Sequence, residues 1–471
     1  MASKMSGGVS VTEIDELMIS VAGIRGVVGL ALTPETTLRF ARAYGTFCRK
    51  GRESPRDRPK VLVARDTRPS GEMLHHSVLA GLLDTCCEVI DLGIAATPTL
   101  QLAIFHHEAD GAVAITASHN PQEWNALKFF QPNGMYLNKV KGKQFLDLTE
   151  AGEFTRCRWD TLGTWTEDTE ATRRHLDRIE TLVDVTAIRR RKLKVVLDCC
   201  NGAAGVISPL LLRELGCERV LINCDLTGHF PHSPEPVKEN LAQLCQAVRE
   251  SGADVGFAHD PDVDRIAVVT EKGEAVGEEY SLVLSTAYVL SKVQGPVVTN
   301  LSTTQTMRDL AVQHGCEMHW TPIGDVNVSE KMKEVGAVIG GEGNGGVILP
   351  EIQYARDGVG ALALLLEYLA TSGKSMSALI DELPRYAIVK RTVQFPRDRI
   401  HQAWDELQQT ISADEVDDRD GLKFVWETRW VHVRPSGTEP IVRVIAEAAK
   451  EAEANRLCDA VEERLRLVAA A

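Results

Sequence analysis

Three carboxylates, Asp260, Asp262 and Asp264, alternate within DPDVDR, directly after the apolar run DVGFA (254–258). In extended backbone, alternate residues point to one side. Carboxylates crowded in this way repel, raise one another's pKa and destabilise the chain unless a cation joins them. Hard oxygen donors suit Mg²⁺. The rival readings are a solvated acidic turn and an EF-hand loop. Glu271 falls at the twelfth position from Asp260, but Arg265 occupies the place that needs glycine, and IAVVT then continues as a strand. That excludes the EF-hand and leaves a metal loop between strands.

Three other loops carry polar chemistry. ITASHNP places Ser118 after GAVA. It reads either as a helix-capping turn or as a nucleophile. The hydrolase elbow G-x-S-x-G is absent, and His119 is expected to point away from Ser118 as its extended-chain neighbour, which argues against a charge-relay triad. RPSGTEP (434–440) offers the Arg434 guanidinium, the hydroxyls of Ser436 and Thr438, and Gly437 in a turn, all suited to an anion; its spacing is not that of a P-loop. GEGNGG (341–346) lacks the dinucleotide pattern, but Glu342 and Asn344 suit bidentate bonds to vicinal sugar hydroxyls; otherwise it is a flexible glycine loop. A serine near three carboxylates and an anion loop fits phosphoryl chemistry, in which a divalent ion offsets the charge of a phosphoserine.

The elements that position these loops repeat. PKVLVARD, LKVVLD and GPVVTN each read as a short buried strand followed by a helix-length segment. CEVIDLG, ERVLINC and CEMHWTPIG read as the next strands, and GAVAI, DVGFA and GAVIG as the closing ones. TASHNP, DPDVDR and GEGNGG follow those closing strands at equivalent points, which suggests an internal repeat. In open α/β sheets ligands bind beyond the carboxyl ends of strands, so the three loops are expected to meet in one site. After residue 385 the pattern changes to adjacent short strands with helices to one side, an α+β unit. Charged stretches near 158–172 and 372–385 read as linkers.

Composition narrows the partners. A length of 471 residues allows three or four domains. A net charge of −14 disfavours non-specific nucleic-acid binding. The 11 cysteines contain no CxxC pair and are expected to be buried, reduced thiols of a cytoplasmic protein, without disulfides or zinc. There is no apolar signal segment and no run long enough to span a membrane, and residues 1–16 read as a loose tail.

In this order, TASHNP, DPDVDR and RPSGTEP, with AGIRG upstream, resemble the α-D-phosphohexomutase superfamily of phosphoglucomutases, phosphomannomutases and phosphoglucosamine mutases. The resemblance runs from Ala22 to Pro440. It implies three similar α/β domains with parallel-rich mixed sheets and a C-terminal α+β domain, the active site lying at the centre of the four. The expected domains are 1–157, 158–270, 271–382 and 383–471. It implies a soluble sugar-phosphate mutase, monomeric or homodimeric, that uses Mg²⁺ and passes through a hexose 1,6-bisphosphate.

Residue by residue, the resemblance implies that Ser118 carries the phosphoryl group, with Asp260, Asp262, Asp264 and a phosphoserine oxygen around the metal. Arg25, Lys128 and Arg265 would face the reacting phosphate. Gly324 and Asp325, in TPIGD, would help close over the sugar, and Glu342 and Asn344 would hold its hydroxyls. Arg434, Ser436, Gly437 and Thr438 would hold the phosphate that is not reacting. Two positions depart from the family pattern: Ala126 stands in place of glycine, and Gly346 where many members have an acid–base histidine, leaving the general acid or base unassigned. Asn344 and the RDG of 356–358 resemble the phosphoglucosamine mutase branch. A phosphomannomutase or phosphoglucomutase is the alternative; a non-catalytic sugar-phosphate-binding protein or a phosphatase fits an intact site less well.

Overall fold

The computed structural model describes residues 17–20, 23–51, 58–436 and 440–470, in four sheets. The expected N-terminal tail lies outside the described residues. The first sheet has the order β1-β2-β6-β5-β3-β4-β7. Its strands are β1 (Met18–Ser20), β2 (Gly23–Val27), β3 (Lys60–Arg65), β4 (Glu88–Ile94), β5 (Gly111–Ile115), β6 (Trp124–Phe130) and β7 (Thr164–Glu167). The second, β11-β10-β8-β9, comprises β8 (Lys194–Asp198), β9 (Glu218–Ile222), β10 (Val255–His259) and β11 (Ile266–Thr270). The third, β13-β12-β14-β15, comprises β12 (Val297–Asn300), β13 (Met318–Thr321), β14 (Ile339–Glu342) and β15 (Gly346–Ile348).

These three sheets share one four-strand core. Its first strand pairs in parallel with the second and the third, and the third turns back into an antiparallel fourth. The internal repeat expected from the sequence is therefore structural. TASHNP, DPDVDR and GEGNGG occupy the same turn in each copy, between the third strand and its antiparallel neighbour. The central strands β5, β10 and β14 are buried along their whole length, which is why they read as unbroken runs of small and apolar residues.

The fourth sheet is antiparallel, with the order β16-β20-β19-β18-β17. Its strands are β16 (Ala387–Gln394), β17 (Glu415–Asp417), β18 (Leu422–Trp426), β19 (Arg429–Pro435) and β20 (Ile441–Ala448). Phe424, Val431, Val433 and Val444 pack there against Leu407 and Leu465 from helices Ile400–Thr410 and Glu451–Ala470. Among the described residues no helix is long and apolar enough to cross a membrane.

The chain forms two compact units. One contains the residues through Glu278 with Leu349–Met376; the other contains Glu279–Ile348 and the residues from Ser377 onward. Helix Gly358–Ser372, late in the third stretch of sequence, thus packs in the first unit, against helix Val185–Arg191 and β11. It is buried on nearly every side, and Asp357 caps its N-terminus through the amides of Val359 and Gly360. Asp357 also accepts from buried His175 at 2.8 Å, and the Thr99 hydroxyl meets the other ring nitrogen of that histidine at 2.8 Å.

Two expectations need correction. The stretch 158–172 is more than a linker, because it contributes β7, which pairs in parallel with β4. The cysteines are not all reduced: Cys86 and Cys157 form a disulfide, with Cα atoms 5.6 Å apart. Cys86 adopts a left-handed conformation (φ 65°) just beyond helix Gly71–Asp84. The segment after residue 156 then crosses that helix end, with Cys157 donating to the Asp84 carbonyl and Gly163 to that of Leu83. The other nine cysteines are free.

The disulfide closes a loop spanning 71 residues, a constraint that acts mainly on the unfolded chain. Cys86→Ser is expected to lower the stability of the first unit by about 2–4 kcal/mol. Denaturant unfolding of the variant and of the oxidised parent checks this.

Candidate active site

The serine turn is assembled around a buried arginine that the motif does not contain. Arg68, fully buried, donates to the carbonyls of Ser118 (2.7 Å), Asn120 (2.6 Å), Pro121 (2.6 Å) and Trp124 (2.9 Å). Asp66 holds the same guanidinium at 3.1 Å and also accepts from Thr116 at 2.6 Å. The Thr116 hydroxyl in turn accepts from the Ser118 amide at 3.0 Å. Ser118 sits at φ 49°, a conformation uncommon for a residue with a Cβ. The turn can hold it because almost every backbone group around it is bonded.

That conformation overturns one expectation. His119 does not point away from Ser118; its Nδ1 lies 3.2 Å from Ser118 Oγ, because the pair lies in a tight turn rather than in an extended strand. Burial, reinforced by the cations of Arg265, Lys128 and Arg356, pushes the His119 pKa well down, so the ring is neutral. The Ser118 hydroxyl itself donates to Asp260 at 2.8 Å.

The three carboxylates also converge in a manner that alternation does not explain. Residues 260–265 form a turn, with Val263 in the left-handed region at φ 67°. That is strained for a β-branched residue. Bonds from the Val263 amide to the Asp260 carbonyl (3.1 Å) and from the Gly358 amide to the Val263 carbonyl (3.0 Å) hold it there. One ligand atom from each of Asp260, Asp262 and Asp264 then falls within 4.8 Å of the others, all buried.

Each carboxylate has its own partner. Asp260 takes the Ser118 hydroxyl; Asp262 takes Lys128 Nζ at 2.6 Å and the Thr97 hydroxyl at 2.9 Å; Asp264 takes Arg356 at 2.6 Å. Asp262 Oδ1 and Asp264 Oδ1 are buried without a hydrogen bond. Burial, then Asp264 and Asp262, pushes the Asp260 pKa well up. Burial also opposes charge on Asp262, but Lys128 outweighs it and holds that carboxyl well below its ordinary range. Lys128 remains an ammonium for the reciprocal reason: burial disfavours its charge, and Asp262 more than compensates. Two orphaned oxygens and a third carboxylate starved of positive charge make a donor set that fits a hard divalent cation.

The remaining expected residues of the first unit surround this cluster. Arg25 reaches Asn120 Oδ1 at 3.4 Å. The Arg265 amide donates to Asp260 Oδ1 at 3.1 Å, and its side chain lies 3.9 Å from Asp264 and 3.7 Å from Glu235. Arg356 and Arg68 were not identified from the sequence as site residues. The RDG tripeptide hinted at the first; nothing local marks the second, whose contacts lie some fifty residues away.

The second unit holds the other candidates. Glu342 is buried and accepts from Asn300 Nδ2 (2.9 Å), the Gly324 amide (3.1 Å) and Asn344 Nδ2 (3.3 Å). A Cβ at position 343 would displace the Glu279 carboxylate, which lies against Gly343. Asp325 begins helix Asp325–Val335 immediately after Gly324. Arg434 donates to Asp420 Oδ1 at 2.8 Å, and the Ile323 amide donates to Asp420 Oδ2 at 2.9 Å. Asp420, unmarked in the sequence, thus ties the Arg434 strand to the loop before Gly324. The Ser436 amide donates to the Ile441 carbonyl at 2.9 Å, while Gly437 and Thr438 lie outside the described residues.

His432 is wired as a neutral ring, with Nε2 on the Asp420 carbonyl (2.6 Å) and Nδ1 on the Ser302 hydroxyl (2.8 Å). Burial lowers its pKa to about 4. The unfolded chain takes up this proton near pH 6.5, so the stability of the second unit is expected to fall as pH drops from about 6.5 to 4, by about 1.4 kcal/mol per pH unit. Denaturation at stepped pH checks this, and His432→Gln should flatten that limb. Arg68→Met, which leaves Asp66 buried and four carbonyls unmatched, is expected to cost about 3–5 kcal/mol in the first unit. Denaturant unfolding tests it.

Comparison with known proteins agrees with this geometry. Family models for phosphoglucomutase/phosphomannomutase match in order: α/β/α domain I over residues 17–156, domain II over 173–273, domain III over 277–386 and the C-terminal domain over 389–464. A phosphoglucomutase/phosphomannomutase of Thermococcus kodakarensis is 41% identical, covering 92% of this chain and 94% of that protein. A probable phosphoglucosamine mutase of Methanopyrus kandleri is 36% identical, covering 93% and 95%. The crystal structure of a phosphoglucomutase/phosphomannomutase family protein from Burkholderia thailandensis superposes with a TM-score of 0.83 at 29% identity, covering 96% and 98% of the two chains. With four family domains in order, the chain belongs to the phosphoglucomutase/phosphomannomutase family of the α-D-phosphohexomutase superfamily and is a phosphomutase.

Proposed function

We propose that this enzyme interconverts glucosamine 6-phosphate and glucosamine 1-phosphate, with Ser118 as the phosphoryl carrier. The observation that carries the proposal is the 2.8 Å contact between the Ser118 hydroxyl and Asp260, within three buried carboxylates. The phosphoryl group on Ser118 passes to the free hydroxyl of the sugar phosphate. The Ser118 O–P bond breaks, a sugar O–P bond forms, and the hydroxyl proton departs to a base. The hexose bisphosphate turns over and returns its other phosphoryl group to Ser118.

Asp260, Asp262 and Asp264, with an oxygen of the phosphoserine, would hold Mg²⁺, which supplies positive charge against the transferring group. Lys128, kept as an ammonium, neutralises charge on that group. Arg25, Arg265 and Arg356 add cationic charge near the cluster, offsetting the net charge of −14 in a protein that takes an anionic substrate. Glu342 and Asn344 take sugar hydroxyls, Gly324 and Asp325 shape the loop beside them, and Arg434, Ser436, Gly437 and Thr438 take the second phosphate.

The amide of Asn344 and the relatives named probable phosphoglucosamine mutases favour the amino sugar. The 41% identical Thermococcus protein, named phosphoglucomutase/phosphomannomutase, supports glucose or mannose phosphate as the second reading. Phosphorus NMR on the three 1-phosphates, with a trace of bisphosphate and Mg²⁺, separates them through relative kcat/KM. Glucosamine phosphate is expected to lead. Chelation should abolish turnover, and Ser118→Ala should lower kcat by at least about 10³-fold. Full activity in that variant would refute the carrier role, and release of inorganic phosphate in place of isomer would indicate a phosphatase.

A further inference from the structure

At the carboxyl ends of β8 and β9, outside the carboxylate cluster, two free thiols face each other. Cys199 Sγ and Cys224 Sγ are 3.0 Å apart, about 1 Å beyond a formed S–S bond. The strands that carry them pair in parallel, Asp198 beside Ile222, and the Cys199 amide donates to the Ile222 carbonyl at 3.3 Å. Only a small shift is needed to join them. Cys199 is fully buried and Cys224 is partly exposed, so a reagent from solvent meets Cys224 first.

We propose that Cys199 and Cys224 are a reversible dithiol–disulfide couple, oxidised by hydrogen peroxide that enters at Cys224. The Cys224 sulfur, having given up its proton, attacks a peroxide oxygen; the S–O bond forms, the O–O bond breaks, and the leaving hydroxide takes up that proton and departs as water, with Cys224 left as the sulfenic acid. Cys199 sulfur then displaces the hydroxyl from Cys224 sulfur, forming the S–S bond, and the Cys199 proton leaves with a second water. Two thiols lose two electrons and the peroxide gains them. The asymmetry of the pair suits these roles. The hydrogen bond shared with Cys199 lowers the Cys224 pKa against the effect of burial, whereas burial raises that of Cys199.

The pair adjoins the metal loop. The turn that Cys199 opens reaches Gly202, where a Cβ would collide with Pro261, and the Ala203 amide donates to the Pro261 carbonyl at 2.8 Å. Pro261 lies between Asp260 and Asp262. Closing the S–S bond pulls on the start of that turn, so oxidation is expected to raise the Mg²⁺ concentration for half-maximal activity several-fold, reversibly.

The test uses the full chain in a Cys200→Ser background, so that any link is assigned to Cys199. After a limited hydrogen peroxide pulse, the expected result is an intact mass lower by two hydrogens and a peptide joining Cys199 to Cys224. Dithiothreitol should reverse both this and the Mg²⁺ shift. Cys224→Ser should not form the link, and Cys199→Ser should leave a Cys224 sulfenic acid that dimedone traps. Absence of the linked peptide in the parent, or oxidation of Cys224 to the sulfinic acid without a link, overturns the proposal. An unchanged Mg²⁺ dependence in the linked protein overturns its connection to the metal loop.

Discussion

Three carboxylates buried within a single turn are a standing electrostatic debt, and much of the first unit is arranged around it. A buried ion costs several kcal/mol unless it is paired and hydrogen-bonded. Each aspartate is therefore met by at least one group from elsewhere in the chain: Ser118 from the loop after β5, Lys128 from β6 with Thr97, and Arg356 from the segment before helix Gly358–Ser372. The helix capped by Asp357 packs in this unit, and Arg356, just before it, reaches Asp264. The cluster thus engages a distant stretch of chain as well as setting what the site can bind.

The repeat and the three loops were legible because they depend on local pattern. Buried parallel strands leave runs such as GAVAI, and turns leave polar residues after them, so β5, β10 and β14 and the loops that follow could be located. The side-chain directions could not. Ser118 and Val263 adopt positive φ, which no alternation rule anticipates, and this is why His119 lies beside Ser118 rather than opposite. Partners distant in sequence were also invisible. Arg68, Asp420 and the Cys86–Cys157 bond act across tens of residues, with no spacing that points to them.

The second unit handles charge differently. Its chemistry-bearing groups lie in a hydrogen-bonded network in which Glu342 receives donors from three directions and Arg434 is paired with Asp420. Groups satisfied in this way can exchange one hydrogen bond for another when a polyhydroxyl or phosphate ligand arrives, without stranding a buried charge. Among the described residues, Asp260, Asp262 and Asp264 form the one group of three carboxylates close enough to share a metal ion. The first unit stores unbalanced charge, whereas the second stores replaceable hydrogen bonds.

Arg68 holds the serine turn through carbonyl oxygens alone. Carbonyls belong to the backbone, so no substitution within residues 118–124 can delete them. The shape of the turn and the chemistry of its side chains are therefore set by different residues: position 126 already departs from the family pattern, while the turn's shape is held by a residue fifty positions earlier. Alignments scored on the motif alone would overlook the residue that preserves it.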